Sequence, residues 1–255
     1  MNILFTICAR AGSKGVRGKN VRCFCGIPLV YYTVAAFEEY KTKYGLADKI
    51  HLAVNTDSEL LIEQLNSIET EYVLIERKES LAGDVIAKKD VIKDTLLEME
   101  QLKGTAYDTV VDLDLTSPLR TAEDINGTLQ TLLEDIDADI SYSVTEARRS
   151  PYFNMVSENE NGYYTTVLPS AFVARQQTPA CYDMNASIYA YRKEYLLSSR
   201  LNDRKALIWV MRDTGILDID SEEDLKLMEV IAQYLFTEIP EYGFMLEKIK
   251  NYHSK

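Results

Sequence analysis

Short apolar runs of strand length alternate with longer segments of helical period through the first half of this chain. That alternation limits the fold more than any other feature. Ile3 to Cys8 reads as a buried strand. Pro28 to Tyr44 reads as a helix, with Pro near its first turn and Gly45 past its end. Lys49 to Asn55 is the next strand, and Asp57 and Ser58 are N-cap candidates for a helix to about Asn66. Tyr72 to Ile75 is a third strand, Asp84 to Leu102 a helical stretch, Thr109 to Leu115 a fourth strand and Ala122 to Leu133 a helix. Such an order predicts an α/β fold, a mostly parallel sheet with helices on both faces.

From about Ala138 the pattern changes. Ile140 to Val144, Tyr163 to Leu168, Ser187 to Tyr191 and Ala206 to Met211 are strand-like, with long irregular pieces between them. Thr145 to Tyr182 is polar, aromatic and turn-rich. An excursion of that length is more than slack in a compact domain, and it suits an arm that packs on another subunit. Glu222 to Phe236 reads as a helix with Ser221 and Asp224 at capping-box spacing, and the tail after Pro240 can form another.

At 255 residues the chain can be one large domain or two small ones. It carries 40 acids against 28 bases, a formal net charge of -12, which argues against non-specific binding to nucleic acid or membrane. Cys8, Cys23, Cys25 and Cys181 give no disulfide pattern, and His51 and His253 complete no zinc cage of usual spacing. Reduced thiols in a cytoplasmic protein are expected. The first apolar run precedes its cations, the wrong order for a signal peptide, and no run reaches the roughly 18 apolar residues of a membrane span.

Against that acidic background, five cations stand ahead of the first anion: Arg10, Lys14, Arg17, Lys19 and Arg22 all precede Glu38. They sit in a glycine-broken loop, ICARAGSKGVRGKN (Ile7 to Asn20), directly after the first strand. Glycine lets backbone N–H groups approach an anion closely, and Lys and Arg neutralise its charge, so the loop suits a polyphosphate. It is not a Walker A motif, because five residues separate Gly12 from Gly18 and Asn20 stands where Ser or Thr would bind magnesium. Nor do Gly12, Gly15 and Gly18 match a dinucleotide fingerprint.

Two of the acid pairs at i, i+2 stand out. Asp218 and Asp220, in GILDIDSEED, share a face of an extended segment and can point at one hard cation such as Mg²⁺. Asp112 and Asp114, in VVDLDLTSPLR, lie near the C-terminal end of a predicted strand, where doubly wound folds place ligands. Thr116 and Ser117 follow at the turn, where helix capping is the competing role.

Taken together, ARAGSKGVRGKN, FCGIPLVYYTV, NTDSE, LAGD, LTSPLRTAEDI, NASIY and DIDSEEDL resemble, in order and spacing, the cytidylyltransferases that activate nonulosonic acids, the CMP-sialic acid synthetase family. The resemblance covers about residues 1–235. It implies a single Rossmann-like nucleotidyltransferase domain over 1–235, with a dimerisation arm at about 145–185 and a C-terminal extension at 236–255. It also implies a homodimer, CTP and Mg²⁺. Arg10, Ser13, Lys14, Lys19 and Asn20 match the triphosphate loop. Arg77, with backbone near Ala82, matches the cytosine reader. Asp218 and Asp220 match the metal pair. Asp114, Thr116, Ser117, Arg175, Gln176, Asn185 and Tyr189 are the matching sugar-site candidates. Two positions depart from the family pattern: Asp114 stands where Gln is usual, and Lys88 where Ser is common. The pattern is similar to the branch that handles legionaminic-type sugars.

The implied chemistry is attack of an anomeric hydroxyl on the α-phosphorus of CTP, with loss of pyrophosphate. Arg10 and Lys19 would stabilise developing phosphate charge, and Asp220 would act with the metal or as a base. Sialic acid and Kdo are the alternative sugar acids, and a non-catalytic nucleotide sensor is the reading from another class.

Overall fold

The computed structural model describes residues 1–12, 18–45, 49–83, 86–200, 204–212 and 218–253. In chain order the strands are β1 (Asn2–Cys8), β2 (Cys23–Phe24), β3 (Ile27–Pro28), β4 (Lys49–Thr56), β5 (Val73–Glu76), β6 (Thr109–Leu113), β7 (Ile140–Glu146), β8 (Val156–Glu158), β9 (Tyr164–Thr166), β10 (Tyr182–Arg192) and β11 (Ala206–Val210). The helices are α1 (Leu29–Lys43), α2 (Glu59–Asn66), α3 (Lys88–Lys103), α4 (Ala122–Glu134), α5 (Lys193–Leu197), α6 (Glu222–Glu238) and α7 (Pro240–His253). The predicted alternation is therefore the observed one, shifted by a residue or two at most ends.

Seven strands form the main sheet in the order β11-β7-β10-β6-β1-β4-β5. All neighbours run parallel except β10, which lies antiparallel between β6 and β7. Alternation along β1 divides the core. Ile3, Phe5 and Ile7 join a large apolar cluster that includes residues of α1, α4, α6 and α7. Leu4 joins a smaller cluster with residues of α3 and α5 on the other face. Thr6 and Asp112 are register partners, and the Thr6 hydroxyl donates to Asp112 Oδ1 at 2.7 Å.

Local signals set the helix ends. Ser58 caps α2, while Thr121–Asp124 and Ser221–Asp224 form capping boxes at α4 and α6. Thr121 is the cap of α4, so Thr116 and Ser117 do not cap it. Helix α3 begins at Lys88, later than the predicted Asp84, a residue outside those described. Tyr242, Met245 and Ile249 of α7 are buried in the same cluster as α1.

The excursion between β7 and β10 carries β8 and β9 as a separate two-stranded sheet. Its Val156, Tyr163, Tyr164 and Val173 are exposed. The predicted strand Tyr163 to Leu168 thus pairs within the excursion rather than with the main sheet. Among the described residues, no helix is long and apolar enough to cross a membrane.

Candidate active site

The parallel strands β1, β5 and β6 all end at one edge of the sheet. The C-terminal ends of strands in such sheets open a crevice for ligands. A cavity of about 440 Å³ lies there, lined among others by Arg10, Lys19, Asn20, Arg77, Asp114, Asp218 and Asp220. Residues far apart in sequence meet in it because each follows or flanks a strand of the same sheet.

The loop after β1 is held by side chains. Asn20 Nδ2 donates to the Arg10 carbonyl at 3.0 Å, and Arg10 Nη1 reaches the Ala82 carbonyl at 3.4 Å. Asp57, at the end of β4, accepts from the Ala11 N–H at 2.7 Å. Gly18 has φ +63°, a left-handed conformation that favours glycine. Ser13 and Lys14 lie outside the described residues.

Arg77 is buried, and its Nε donates to Asn55 Oδ1 at 2.9 Å. Burial pulls its guanidinium below the ordinary value. A buried cation whose fork is only partly spent suits recognition of a polar edge.

The carboxylate pair sits opposite. The Ile219 N–H donates to the Thr116 carbonyl at 3.0 Å, pinning the 218–220 segment beside the turn after β6. Asp218 is largely buried, and its Oδ1 has no hydrogen-bond partner. Burial pushes its carboxyl up, opposed by the nearby Thr116 side chain and by the charge of Lys19. Lys19 Nζ lies 2.8 Å from Asp220 Oδ1 and 3.8 Å from Asp218 Oδ1. An ammonium resting between two carboxylates, one with an unsatisfied oxygen, marks a place where a divalent cation fits. Among the described residues no cluster of three or more His, Cys, Asp or Glu could hold a metal, so phosphate oxygens and water would complete its shell.

Behind them lies a charged group in which only Asp114 had a role from sequence, as a sugar-site candidate; Lys88 and Asp112 had none. Lys88 Nζ is 2.6 Å from Asp114 Oδ2 and 2.7 Å from Asp112 Oδ2. Asp112 is fully buried. Burial opposes the charge on Lys88, but the two carboxylates outweigh it and hold its pKa well above the ordinary value. Burial likewise pushes Asp114 up, yet Lys88 and the Thr116 donors hold it at about 2. The two departures from the family pattern therefore answer one another across the fold.

The remaining sugar-site candidates are spread out. Tyr189 pairs with Asp112 across β10 and β6, and burial pushes its hydroxyl up to about 12. Asn185 is buried, accepting from Ser143 Oγ at 2.7 Å. Ser117 is fully buried, and its carbonyl accepts from Arg120 at 2.5 Å. Arg175 and Gln176 are exposed and line a separate cavity of about 250 Å³ at the base of the excursion. Asn55 and Asp57 support Arg77 and the loop; the only advance signal for them was their place in NTDSE, where Asp57 read as a cap.

A cavity of about 440 Å³ lined by both cations and carboxylates suits a nucleoside triphosphate, the substrate of a nucleotidyltransferase. The fold is shared with a solved CMP:2-keto-3-deoxy-manno-octonic acid synthetase complexed with CTP, which superposes with a TM-score of 0.64 at 17% identity, covering 92% of this chain and 100% of that one. The family model described as Cytidylyltransferase matches residues 4–242, and the chain belongs to that family. It is 34% identical over 235 residues to a post-translational flagellin modification protein B of Campylobacter coli, spanning 91% of this chain and 95% of that protein. It is 36% identical over 233 residues to a CMP-N,N'-diacetyllegionaminic acid synthase of Campylobacter jejuni, spanning 90% and 94%.

Proposed function

We propose that this cytidylyltransferase activates a nonulosonic acid of legionaminic type, joining CMP from CTP to the sugar's anomeric oxygen and releasing pyrophosphate. The observation that carries the reading is the single cavity in which Arg10, Lys19, Asn20 and Arg77 face Asp218 and Asp220. The likeness to a legionaminic acid synthase over nearly its whole length supports the sugar class.

Arg10, Lys19 and Asn20, with Ser13 and Lys14 of the same loop, would hold the triphosphate. Arg77 and the backbone near Ala82 would read the cytosine edge, and unpaired polar groups would penalise UTP. Asp218 and Asp220 would hold Mg²⁺. That ion supplies charge neutralisation at the α-phosphate and lowers the pKa of an oxygen it binds. Lys19 then leaves the carboxylates for phosphate, where it stabilises charge developing in the transition state. Alternatively, with Asp218 alone on the ion, the exposed Asp220 would accept the proton of the attacking hydroxyl. Asp114, Thr116, Ser117, Asn185 and Tyr189 would form or support the sugar side. Arg175 and Gln176 on the excursion would serve a neighbouring subunit's site in a homodimer, for which the exposed apolar residues there supply the contact.

The test is pyrophosphate release from each of four NTPs with N,N'-diacetyllegionaminic, N-acetylneuraminic, pseudaminic and Kdo acids. The expected result is CTP-dependent turnover, fastest with the legionaminic acid. Preference for N-acetylneuraminic acid or Kdo would replace the sugar assignment, and equal turnover with UTP would overturn the base assignment.

A further inference from the structure

The lining of the cavity comes from both sides of β1, joined by the Asp218–Asp220 segment, which is pinned to Thr116 and bridged by Lys19. Arg10, Lys19 and Asn20 follow β1, and Arg77 follows β5, on one side. Asp114 and Thr116 follow β6, on the other side of β1. Lys88, the first residue of α3, reaches in on this β6 side.

The bonding of Lys88 sets it apart from the other cations of the cavity. Its ammonium lies between Asp112, which is fully buried, and Asp114, which lines the cavity. Asp112 is anchored in turn by the Thr6 hydroxyl at 2.7 Å. Asp114 Oδ1 receives the Thr116 N–H at 3.2 Å and the Thr116 hydroxyl at 3.0 Å, while its Oδ2 takes Lys88. Among the described residues, Thr116 and Lys88 donate to the Asp114 carboxylate, so it is oriented from two sides. Moving Lys88 onto a phosphate would strand Asp112 in the interior without a counter-ion, a costly state. Lys19 differs in that Asp220, at 2.8 Å, is exposed, while the largely buried Asp218 lies farther off at 3.8 Å.

We infer that Lys88 is a positioning residue for the second substrate: by bridging Asp112 and Asp114 it presents Asp114 as a fixed, acceptor-only surface on the β6 side of the cavity, where it accepts an O–H or N–H of the sugar. Asp114 turns a carboxylate with no proton to donate toward the cavity. It therefore turns the sugar's own carboxylate away, and a substrate acid must enter with a neutral donor group facing Asp114. The inference rests on the reading above that the second substrate is a sugar acid.

The experiment compares wild type with Lys88→Met, Lys88→Arg, Asp114→Asn and the double variant Lys88→Met/Asp114→Asn. Two quantities are measured: the Kd for CTP by calorimetry, and kcat and KM for N,N'-diacetyllegionaminic acid at saturating CTP. Lys88→Met is expected to lower kcat/KM for the sugar about 10- to 100-fold, mainly through KM, because the group facing Asp114 loses an oriented acceptor. CTP affinity should be unchanged, and Lys88→Arg should recover most of the loss. The double variant should match Asp114→Asn alone, since without that charge Lys88 has nothing to position. A folded Lys88→Met with unchanged sugar KM overturns the inference, as does weakened CTP binding in any of the variants. If Lys88→Met does not fold, Asp114→Asn decides, because the Lys88–Asp112 pair survives in it; an unchanged sugar KM there overturns the inference too. If wild type accepts no sugar acid at all, the functional reading fails, and the CTP measurements still judge which side of the cavity Lys88 serves.

Discussion

Gly127→Ala should destabilise this protein although it places a better helix former inside a helix. Gly127 lies within α4, where alanine would ordinarily gain about 1 kcal/mol. A Cβ built there meets three atoms of the Trp209 indole at 2.3, 2.4 and 2.5 Å, far inside contact distance. The ring cannot yield cheaply. It belongs to β11, it packs against the main core, and its Nε1 donates to Asp124 Oδ1 at 3.3 Å. Displacing it costs about 1–3 kcal/mol of overpacking, and the hydrogen bond is worth about 1 kcal/mol more. Against the helical gain, the net loss is about 1–3 kcal/mol, or a fall in Tm of roughly 3–10 °C for a chain of this size. Trp209 is the single tryptophan of the chain, so its fluorescence reports both unfolding in urea and the local change in the native state. The expected result is a lower midpoint with unchanged slope and a shifted native emission. Adding Trp209→Leu should make the two substitutions non-additive, because the new methyl then has room. A midpoint raised by the helical gain, with native emission unaltered, would refute the reasoning.

Three other outcomes follow from the geometry. Ala186 has φ +50° in the bulge of β10, so Ala186→Gly should raise stability by about 0.5–1 kcal/mol, read as the urea midpoint. Asp114 is held at about 2 against an ordinary 3.8, so its ionisation stabilises the fold above pH 4 and that contribution, about 2 kcal/mol, is lost as pH falls from 4 toward 2. By pH 3 about half is gone, so the gap in urea stability between wild type and Asp114→Asn should narrow by about 1 kcal/mol between pH 5 and pH 3. Asp220→Asn should cut turnover by orders of magnitude, about 10²-fold or more, and weaken Mg²⁺-dependent CTP binding while leaving the circular dichroism spectrum intact; near-normal turnover at saturating Mg²⁺ would remove Asp220 from the proposed metal site.

Much of this molecule was legible in its sequence because the signals are local. Period-two and period-3.6 patterning of apolar residues depends on neighbours only, so the strands β1, β4, β5 and β6 and the helices between them could be located before any coordinates. The capping box at Ser221 and Asp224 spans one turn and was equally readable. The cationic glycine loop stood out because no anion precedes Glu38. What the tertiary structure alone decided are the pairings between distant segments. The insertion of β10 antiparallel between β6 and β7, and the closing of β8 on β9 within the excursion, depend on backbone hydrogen bonds that local pattern does not specify. Arg77 finds Asn55, and Lys88 finds Asp112 and Asp114, because β1, β4, β5 and β6 end at one sheet edge and α3 starts above it. Sequence presents Lys88 and Asp114 as two unrelated oddities. A buried carboxylate demands a counter-ion, and only the packing of α3 on the sheet shows that each is the other's partner.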